Sequence, residues 1–156
     1  MQFKASTDYG MRAILYLAAR DTTCSSRDIA EDMSIPRDYL IQLAQLLRNA
    51  GIIEARPGKH GGYRLARPAD QISVLDVINA LDEDAKQATR SRRETRTGGE
   101  MVEEIKRAYD LIEESMDAFM SSLTVESLLE CVTTDQSSRT YLSERLTAEG
   151  KRLAYA

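Results

Sequence analysis

Apolar side chains recur with the spacing of helices along the first third of the chain. A segment from about Thr7 to Arg20 places its apolar residues on one face, which predicts a helix. Ser25, with Asp28 three residues later, has the spacing of a capping box and predicts a short second helix. Pro36 suits the first turn of a third helix, and Gly51 suits its end. That third helix buries four apolar residues with helical spacing: Leu40, Leu43, Ala44 and Leu47.

The pattern then changes to the alternation of a strand. Tyr63 and Leu65 alternate with polar residues, and Ile52 and Ile53 precede a turn that contains proline and glycines. This predicts a two-stranded hairpin over residues 52–66. A hairpin after three helices predicts a winged helix-turn-helix, in which the hairpin is the wing. Basic side chains gather around its tip: Arg56, Lys59, His60, Arg64 and Arg67.

The second half of the chain predicts a long amphipathic helix. Ser73, with Asp76 in capping-box spacing, first starts a shorter helix. Residues 82–100 contain almost no apolar side chain and include the run RSRRETRTGG, which predicts a flexible loop. Apolar residues then recur three or four apart from Met101 to Leu123, as in a helix that buries one seam against a partner.

These elements predict a mainly α fold in four parts. We expect a winged helix-turn-helix DNA-binding domain with a two-stranded wing at residues 1–82 and an Arg-rich flexible loop at 83–100. Residues 101–132 are expected to hold a long C-terminal dimerisation helix and a shorter one, and 133–156 a polar C-terminal tail. A dimer seam explains the apolar stripe of the long helix better than a cofactor-binding segment does. The residues expected at this interface are Ile105, Ile112, Met116 and Phe119.

Charge is divided unevenly along the chain. The formal net charge of −4 by itself argues against a nucleic-acid partner. Residues 1–68, however, hold 10 Lys and Arg against 7 Asp and Glu, a balance of +3, whereas residues 69–156 hold 11 against 18, a balance of −7. A basic front half beside an acidic back half suits a protein that presents one face to phosphates.

Composition also limits the compartment and the chemistry. No run of about 18 apolar residues occurs, and the N-terminus lacks the apolar core of a signal peptide, so we expect a cytoplasmic protein without a membrane partner. Cys24 and Cys131 are too far apart for a disulfide framework or a CxxC metal site. His60 is the single histidine, and no phosphate-binding GxxxxGK[ST] loop is present. No catalytic set is therefore recognisable, and we expect no enzymatic activity.

Two surfaces are candidates for DNA contact. On the third helix, Gln42, Gln45 and Arg48 suit base edges, because amides pair with adenine and a guanidinium pairs with guanine. Arg37 and Tyr39, near the start of that helix, suit phosphates. An ordinary solvated helix face and a solvated hairpin are the alternatives. The candidates on the wing are Arg56, Lys59, His60 and Arg64.

The cysteines and the histidine admit further interpretations. Cys24 precedes the helix-turn-helix, where oxidation to a disulfide would disturb docking on DNA, so it is a candidate redox site. The alternative is a small, half-buried residue in a link. Cys131 lies among apolar residues and is expected to be a core thiol. His60 has no neighbouring ligand set, so we expect no metal at the wing.

The chain resembles the Rrf-type winged-helix transcriptional regulators. The resemblance is carried by TDYGMRAILYLA at 7–18, SSRDIAEDMSIPRDYLIQLAQLLRNAGII at 25–53 and GKHGGYRLARPADQISVLDVINALD at 58–82. With the long helix, it covers roughly residues 1–130. It implies a homodimer, joined by antiparallel long helices, that binds a pseudo-palindromic operator.

The resemblance also exposes departures from the family pattern. Cluster-carrying members have three cysteines in the loop that matches residues 82–100, whereas this loop has none. Asp8 lies where some relatives supply an acidic ligand, but one carboxylate without thiolates cannot retain an iron–sulfur cluster. The resemblance therefore implies a cluster-free member with no cofactor. Relatives often carry Glu at the position of Ile41, whose side chain could instead contact a thymine methyl.

Residues and resemblance together favour a sequence-specific DNA-binding transcriptional regulator, most often a repressor in such families. The expected partners are double-stranded operator DNA, a second copy of the chain, and a small-molecule or protein effector. The alternative is a protein-interaction module that binds a metabolic enzyme or another regulator. It would use the winged helix or the acidic C-terminal half.

Overall fold

The computed structural model describes residues 4–82 and 99–133, which form six α-helices, a short 3-10 helix at Ala69–Gln71 and one antiparallel sheet. The strands are β1 (Ile53–Arg56) and β2 (Gly62–Leu65). The helices are α1 (Ala5–Arg20), α2 (Ser26–Asp32), α3 (Arg37–Asn49), α4 (Val74–Leu81), α5 (Glu100–Ser122) and α6 (Val125–Thr133).

Helices α1, α2 and α3 pack together because each buries one apolar face. Ser25 caps α2, and its Oγ accepts a hydrogen bond from the Asp28 N–H at 3.1 Å. Ser34, at a φ of +53°, makes the tight link between α2 and α3. The largest side chains buried between these helices are Ile14, Ile29, Leu40, Leu43 and Leu47.

The ends of α3 are fixed by local backbone chemistry. Pro36 lies at the N-cap, one residue before the predicted first turn, and its carbonyl accepts the first helical hydrogen bond from Leu40 at 2.9 Å. Gly51 adopts a φ of +69°, as expected for the residue that ends a helix in the left-handed conformation. The Ile52 N–H then donates to the Leu47 carbonyl at 3.0 Å, and both side chains are buried. This termination directs the chain straight into β1.

The wing is a hairpin with one buried face and one open face. Ile53 pairs with Leu65, and Ala55 with Tyr63. On this side Ile53, Tyr63 and Leu65 pack against the core, whereas Ala55, nearer the tip, is exposed. Glu54 pairs with Arg64 on the opposite side, as the period of two requires. The wing is tied to the helix-turn-helix by Cys24, which forms an antiparallel bridge with Tyr63.

Helices α4 and α6 pack against α1 and complete the core of the winged helix. Ser73 and Asp76 form a reciprocal capping box at the start of α4, with bonds of 3.0 and 3.1 Å. The Val125 N–H donates to the Ile72 carbonyl at 2.8 Å, and Val125 is fully buried in the same core as α1. Helix α6 therefore packs on the winged helix, although the sequence grouped it with the dimerisation helix.

The structure confirms the predicted fold class. The described part is mainly helical, with a winged helix-turn-helix, a two-stranded wing and a long helix after it. Most of the predicted Arg-rich loop at 83–100 and of the polar tail at 133–156 lies outside the described residues. Within 4–82 and 99–133, no helix has the length and apolar character needed to cross a membrane.

Candidate DNA-binding surface

Helix α3 has one face in the core and one face in solvent. Leu40, Leu43 and Leu47 are buried and hold the helix in place. The opposite face therefore projects from the domain, which is the position of the helix that enters the major groove in helix-turn-helix proteins. Its exposed residues are Arg37, Asp38, Ile41, Gln42, Gln45, Arg48 and Asn49.

Three of these exposed side chains form a hydrogen-bonded chain. The Gln45 amide nitrogen donates to the Asn49 side-chain oxygen at 2.8 Å. The Gln45 amide oxygen accepts from the Arg48 guanidinium at 2.9 Å. Both ends of the Gln45 amide are thus engaged within α3, so Gln45 could contact adenine only if these two hydrogen bonds broke. The hydrogen bond from Arg48 to Gln45 instead orients the Arg48 guanidinium.

Gln42 and Arg37 are presented differently from Gln45. Both are exposed, and within residues 4–82 and 99–133 neither side chain forms a hydrogen bond or an ion pair. The Gln42 amide can offer a donor and an acceptor together, which is the pattern that matches an adenine edge. Arg37 lies in the first turn, close to where a helix approaches the DNA backbone.

Tyr39 is half-buried and contributes to packing between α1 and α3. Its ring meets that of Tyr9 edge-on, with the ring centroids 5.9 Å apart. The Arg12 guanidinium lies 5.4 Å from the Tyr9 centroid and is held by Asp8 at 2.6 and 3.2 Å. This stack fixes the start of α3 against α1.

The wing displays its basic residues as the sequence predicts. Arg56, Lys59 and His60 are exposed, and Arg64 is partly exposed on the open face of β2. The Gly58 φ of +112° permits the turn between the strands. Arg64 forms an ion pair with Glu54, and the Arg56 Nε lies 3.8 Å from the same carboxylate. The wing therefore carries both signs of charge.

Helix α5 buries none of its residues, and its N-terminal two-thirds carries an exposed apolar stripe. The predicted interface residues Ile105 and Ile112 are about half exposed, at 47% and 56%, and Met116 is 40% exposed. Phe119, near the C-terminal end of α5, is partly covered. Such a stripe on a helix of this length requires a partner surface.

Cys24 is buried, and burial raises the pKa of its thiol. Its Sγ lies 3.5 Å from the Thr22 carbonyl. A raised pKa reduces the thiolate fraction on which cysteine reactivity depends. The geometry thus favours the packing interpretation of Cys24 over the redox one.

Two acidic residues of this surface are not among the contacts predicted from the sequence. Asp38 lies on the exposed face of α3, and Glu54 pairs with Arg64 across the wing. The alternation around β1 would have placed Glu54 on the open face. Its partner could be known only from the strand register, which depends on the length of the turn.

An exposed polar helix of a helix-turn-helix beside a basic wing defines a winged-helix DNA-binding protein. The model of the Rrf2 family, described as an iron-dependent transcriptional regulator, matches residues 3–131. The chain therefore belongs to the Rrf2 family of transcriptional regulators, as the sequence resemblance predicted.

Solved structures of family members share this fold. IscR of T. potens is 25% identical over 87% of this chain and 91% of its own, with a TM-score of 0.70. CymR of Staphylococcus aureus in its oxidised form is 26% identical over 83% of this chain and 97% of its own, with a TM-score of 0.64. CymR, the global cysteine regulator of B. subtilis, is 23% identical over 83% of this chain and 97% of its own, with a TM-score of 0.67.

The donor groups of this chain do not fit an iron–sulfur cluster. Such clusters are held chiefly by thiolates, and the chain has only two cysteines, one of which is the buried Cys24. The Asp8 carboxylate is engaged by Arg12, and His60 lies on the wing tip. Within the described ranges, no three His, Cys, Asp or Glu side chains are grouped so as to hold a metal ion.

Proposed function

We propose that this DNA-binding transcription regulator acts as a homodimeric repressor on a pseudo-palindromic operator. The observation that carries the proposal is the exposed, donor-rich face of α3 beside the basic wing. Gln42 and Arg48 contact base edges, while Arg37, Lys59 and His60 contact phosphates. Occupancy of the operator by the dimer excludes other proteins from the same duplex, which is sufficient for repression.

The apolar stripe of α5 supports a second copy of the chain as the partner. Ile105, Ile112 and Met116 are exposed along one side, and none of the 23 residues of α5 is buried. A copy related by twofold symmetry would cover the stripe with its own, since the same surface serves both subunits. Residues 1–82 then act as the DNA-binding domain and α5 as the dimerisation helix. Two-fold related α3 helices imply two half-sites with inverted sequence.

A protein-interaction module is the second candidate function. It is favoured by the acidic balance of −7 over residues 69–156, which would repel a duplex and could face a basic protein surface. The two functions differ in salt dependence. Phosphate neutralisation gives a slope of about 0.9 per contact in log affinity against log salt concentration, and protein docking generally does not.

Selection from a random duplex pool tests the proposed function. We expect enrichment of one inverted repeat, with a salt-dependent affinity for the selected duplex well above that for a scrambled duplex. An enriched motif without inverted symmetry would contradict the homodimer. Equal, salt-insensitive binding to selected and scrambled duplexes would contradict DNA recognition and favour the interaction module.

A further inference from the structure

The open face of the wing holds a cluster of three charged residues. Glu54 lies directly across the hairpin from Arg64, and its Oε1 accepts a hydrogen bond from the Arg64 Nε–H. The Arg56 Nε lies 3.8 Å from the same oxygen, which is within ion-pair range but too long for a hydrogen bond. Glu54 and Arg56 are two residues apart on β1, so the strand pleat places both on the face of Arg64.

The pairing leaves part of each guanidinium available. The hydrogen bond between Glu54 and Arg64 uses the Arg64 Nε–H, so the terminal NH₂ groups of Arg64 make no hydrogen bond to this carboxylate. Arg56 lies in ion-pair range of Glu54 without a hydrogen bond to it. The side chains of Glu54 and Arg64 are each 42% exposed. DNA phosphates can therefore reach Arg64 while its pair with Glu54 is intact.

The carboxylate also changes the charge that the wing presents. Two arginines and one glutamate make a cluster of net charge +1 instead of +2. An arginine whose charge is already partly balanced by Glu54 neutralises less of a phosphate's charge, so fewer counterions leave the DNA. It therefore contributes less to DNA affinity and to the salt dependence of that affinity. The carboxylate is itself repelled by phosphates.

We propose that Glu54 is the internal counter-ion of the wing, which positions Arg64 and Arg56 for phosphate contact while limiting the positive charge that they offer to DNA. The inference rests on the proposed DNA-binding function. Glu54 is a positioning residue and makes no contact with DNA bases. It sets how tightly, and with what salt sensitivity, the wing holds any duplex.

Glu54→Gln removes the negative charge of the side chain but keeps its positioning of Arg64, because the glutamine oxygen can still accept a hydrogen bond from the Arg64 Nε–H. Affinity for the selected operator and for a scrambled duplex is measured by fluorescence anisotropy over a salt series. We expect binding to both duplexes to tighten by about 3-fold to 10-fold at low salt. The log–log salt slope should become steeper by up to about 0.9. Unchanged or weaker binding would overturn the proposal.

Two further comparisons assign the effect to the cluster. In a protein that carries Arg56→Gln and Arg64→Gln, Glu54→Gln should have a clearly smaller effect, because only the direct repulsion between the carboxylate and phosphates is left to remove. An undiminished effect would mean that repulsion alone accounts for it and would overturn the counter-ion role. Glu54→Ala should bind DNA less tightly than Glu54→Gln, because it also loses the anchor. Equal affinities of these two variants would overturn the positioning role.

The controls separate this inference from the proposed function. Glu103→Gln changes net charge by the same amount on α5, where Glu103 pairs with Lys106, and should leave DNA affinity unchanged. If the unmodified protein shows no salt-dependent binding to any duplex, the DNA-binding function itself fails. If it binds and Glu54→Gln is indistinguishable from it, only the role of Glu54 fails.

Discussion

Cys24 and Tyr63 exchange two backbone hydrogen bonds, 2.9 Å from the Cys24 nitrogen to the Tyr63 oxygen and 2.8 Å from the Tyr63 nitrogen to the Cys24 oxygen. Cys24, two residues before the start of α2, thereby extends the two-stranded wing by one bridge on the free edge of β2. Because α2 and the wing share this bridge, the spacing between α3 and the wing tip is fixed by backbone chemistry. Two separate surfaces can then contact one duplex.

Gly62→Ala should break this connection. A Cβ at Gly62 would collide with the Cys24 carbonyl, and it would lie 2.9 Å from the Ser25 Cα, so backbone would have to move. We expect a loss of about 2–4 kcal/mol in the free energy of unfolding, measured by chemical denaturation.

Gly51→Ala provides the matched comparison for Gly62→Ala. A Cβ at Gly51 meets open space, and its φ of +69° alone accounts for a smaller loss of about 1–2 kcal/mol. Equal losses in the two variants would mean that the bridge yields easily and does not fix the wing.

Gln42→Ala and Lys59→Ala should affect DNA binding in different ways. Gln42 is exposed on α3, and its loss should cost about 1–3 kcal/mol on the selected operator and little on a scrambled duplex. Lys59 lies on the exposed wing tip, and its loss should weaken both duplexes alike and reduce the salt slope by about 0.9. Titration of both variants on both duplexes is the measurement. If Gln42→Ala lost the same affinity for the selected operator and for the scrambled duplex, Gln42 would have no role in base recognition.

Ile112→Asp should dissociate the dimer. It places a charge within the apolar stripe of α5, where a partner would desolvate it without a counter-charge. Light scattering should report a monomer, and operator affinity should fall by about 100-fold or more, because two half-sites are no longer bound as a unit. Arg107→Asp, an exposed change away from the stripe on the same helix, should leave the dimer intact. A dimer that survives Ile112→Asp would mean that the subunits meet through another surface.

Cys24 should react slowly with iodoacetamide at neutral pH. Burial both shields the thiol and raises its pKa, so less thiolate is present in the folded protein than in the unfolded chain. Mass spectrometry should show that Cys131, which is half-buried, is alkylated first. The rate at Cys24 should rise with pH, because the thiol loses its proton only at higher pH. Rapid labelling of folded protein at Cys24 would restore the redox interpretation.

The purified protein should be colourless, and anaerobic addition of iron and sulfide should leave it so. The chain offers two cysteines and one histidine, which are too few strong donors in the wrong places for a two-iron cluster. Visible absorbance and operator affinity, measured before and after reconstitution, check this expectation. A stable chromophore near one cluster per subunit, lost on replacement of Cys24 or Cys131, would contradict it.

The sequence by itself determined the helices, the wing and the family. Leu40, Leu43 and Leu47 specify the buried face of α3 through their spacing alone, and Gly51 ends the helix because few other residues tolerate its φ. These signals are local, so they survive without knowledge of the rest of the fold. The exposed face of α3 followed directly, since it is the complement of the buried one.

Only the tertiary structure decided which groups on those faces meet. Whether Glu54 lies across from Arg64 depends on the register of the hairpin, and whether Cys24 joins the wing depends on how α2 packs beside it. Val125 entered the winged-helix core although its own segment resembled a continuation of the dimerisation region. Such contacts join residues that are distant along the chain. The periodicity of a sequence indicates on which face of a helix or strand a residue lies, but not which residue of another element packs against it.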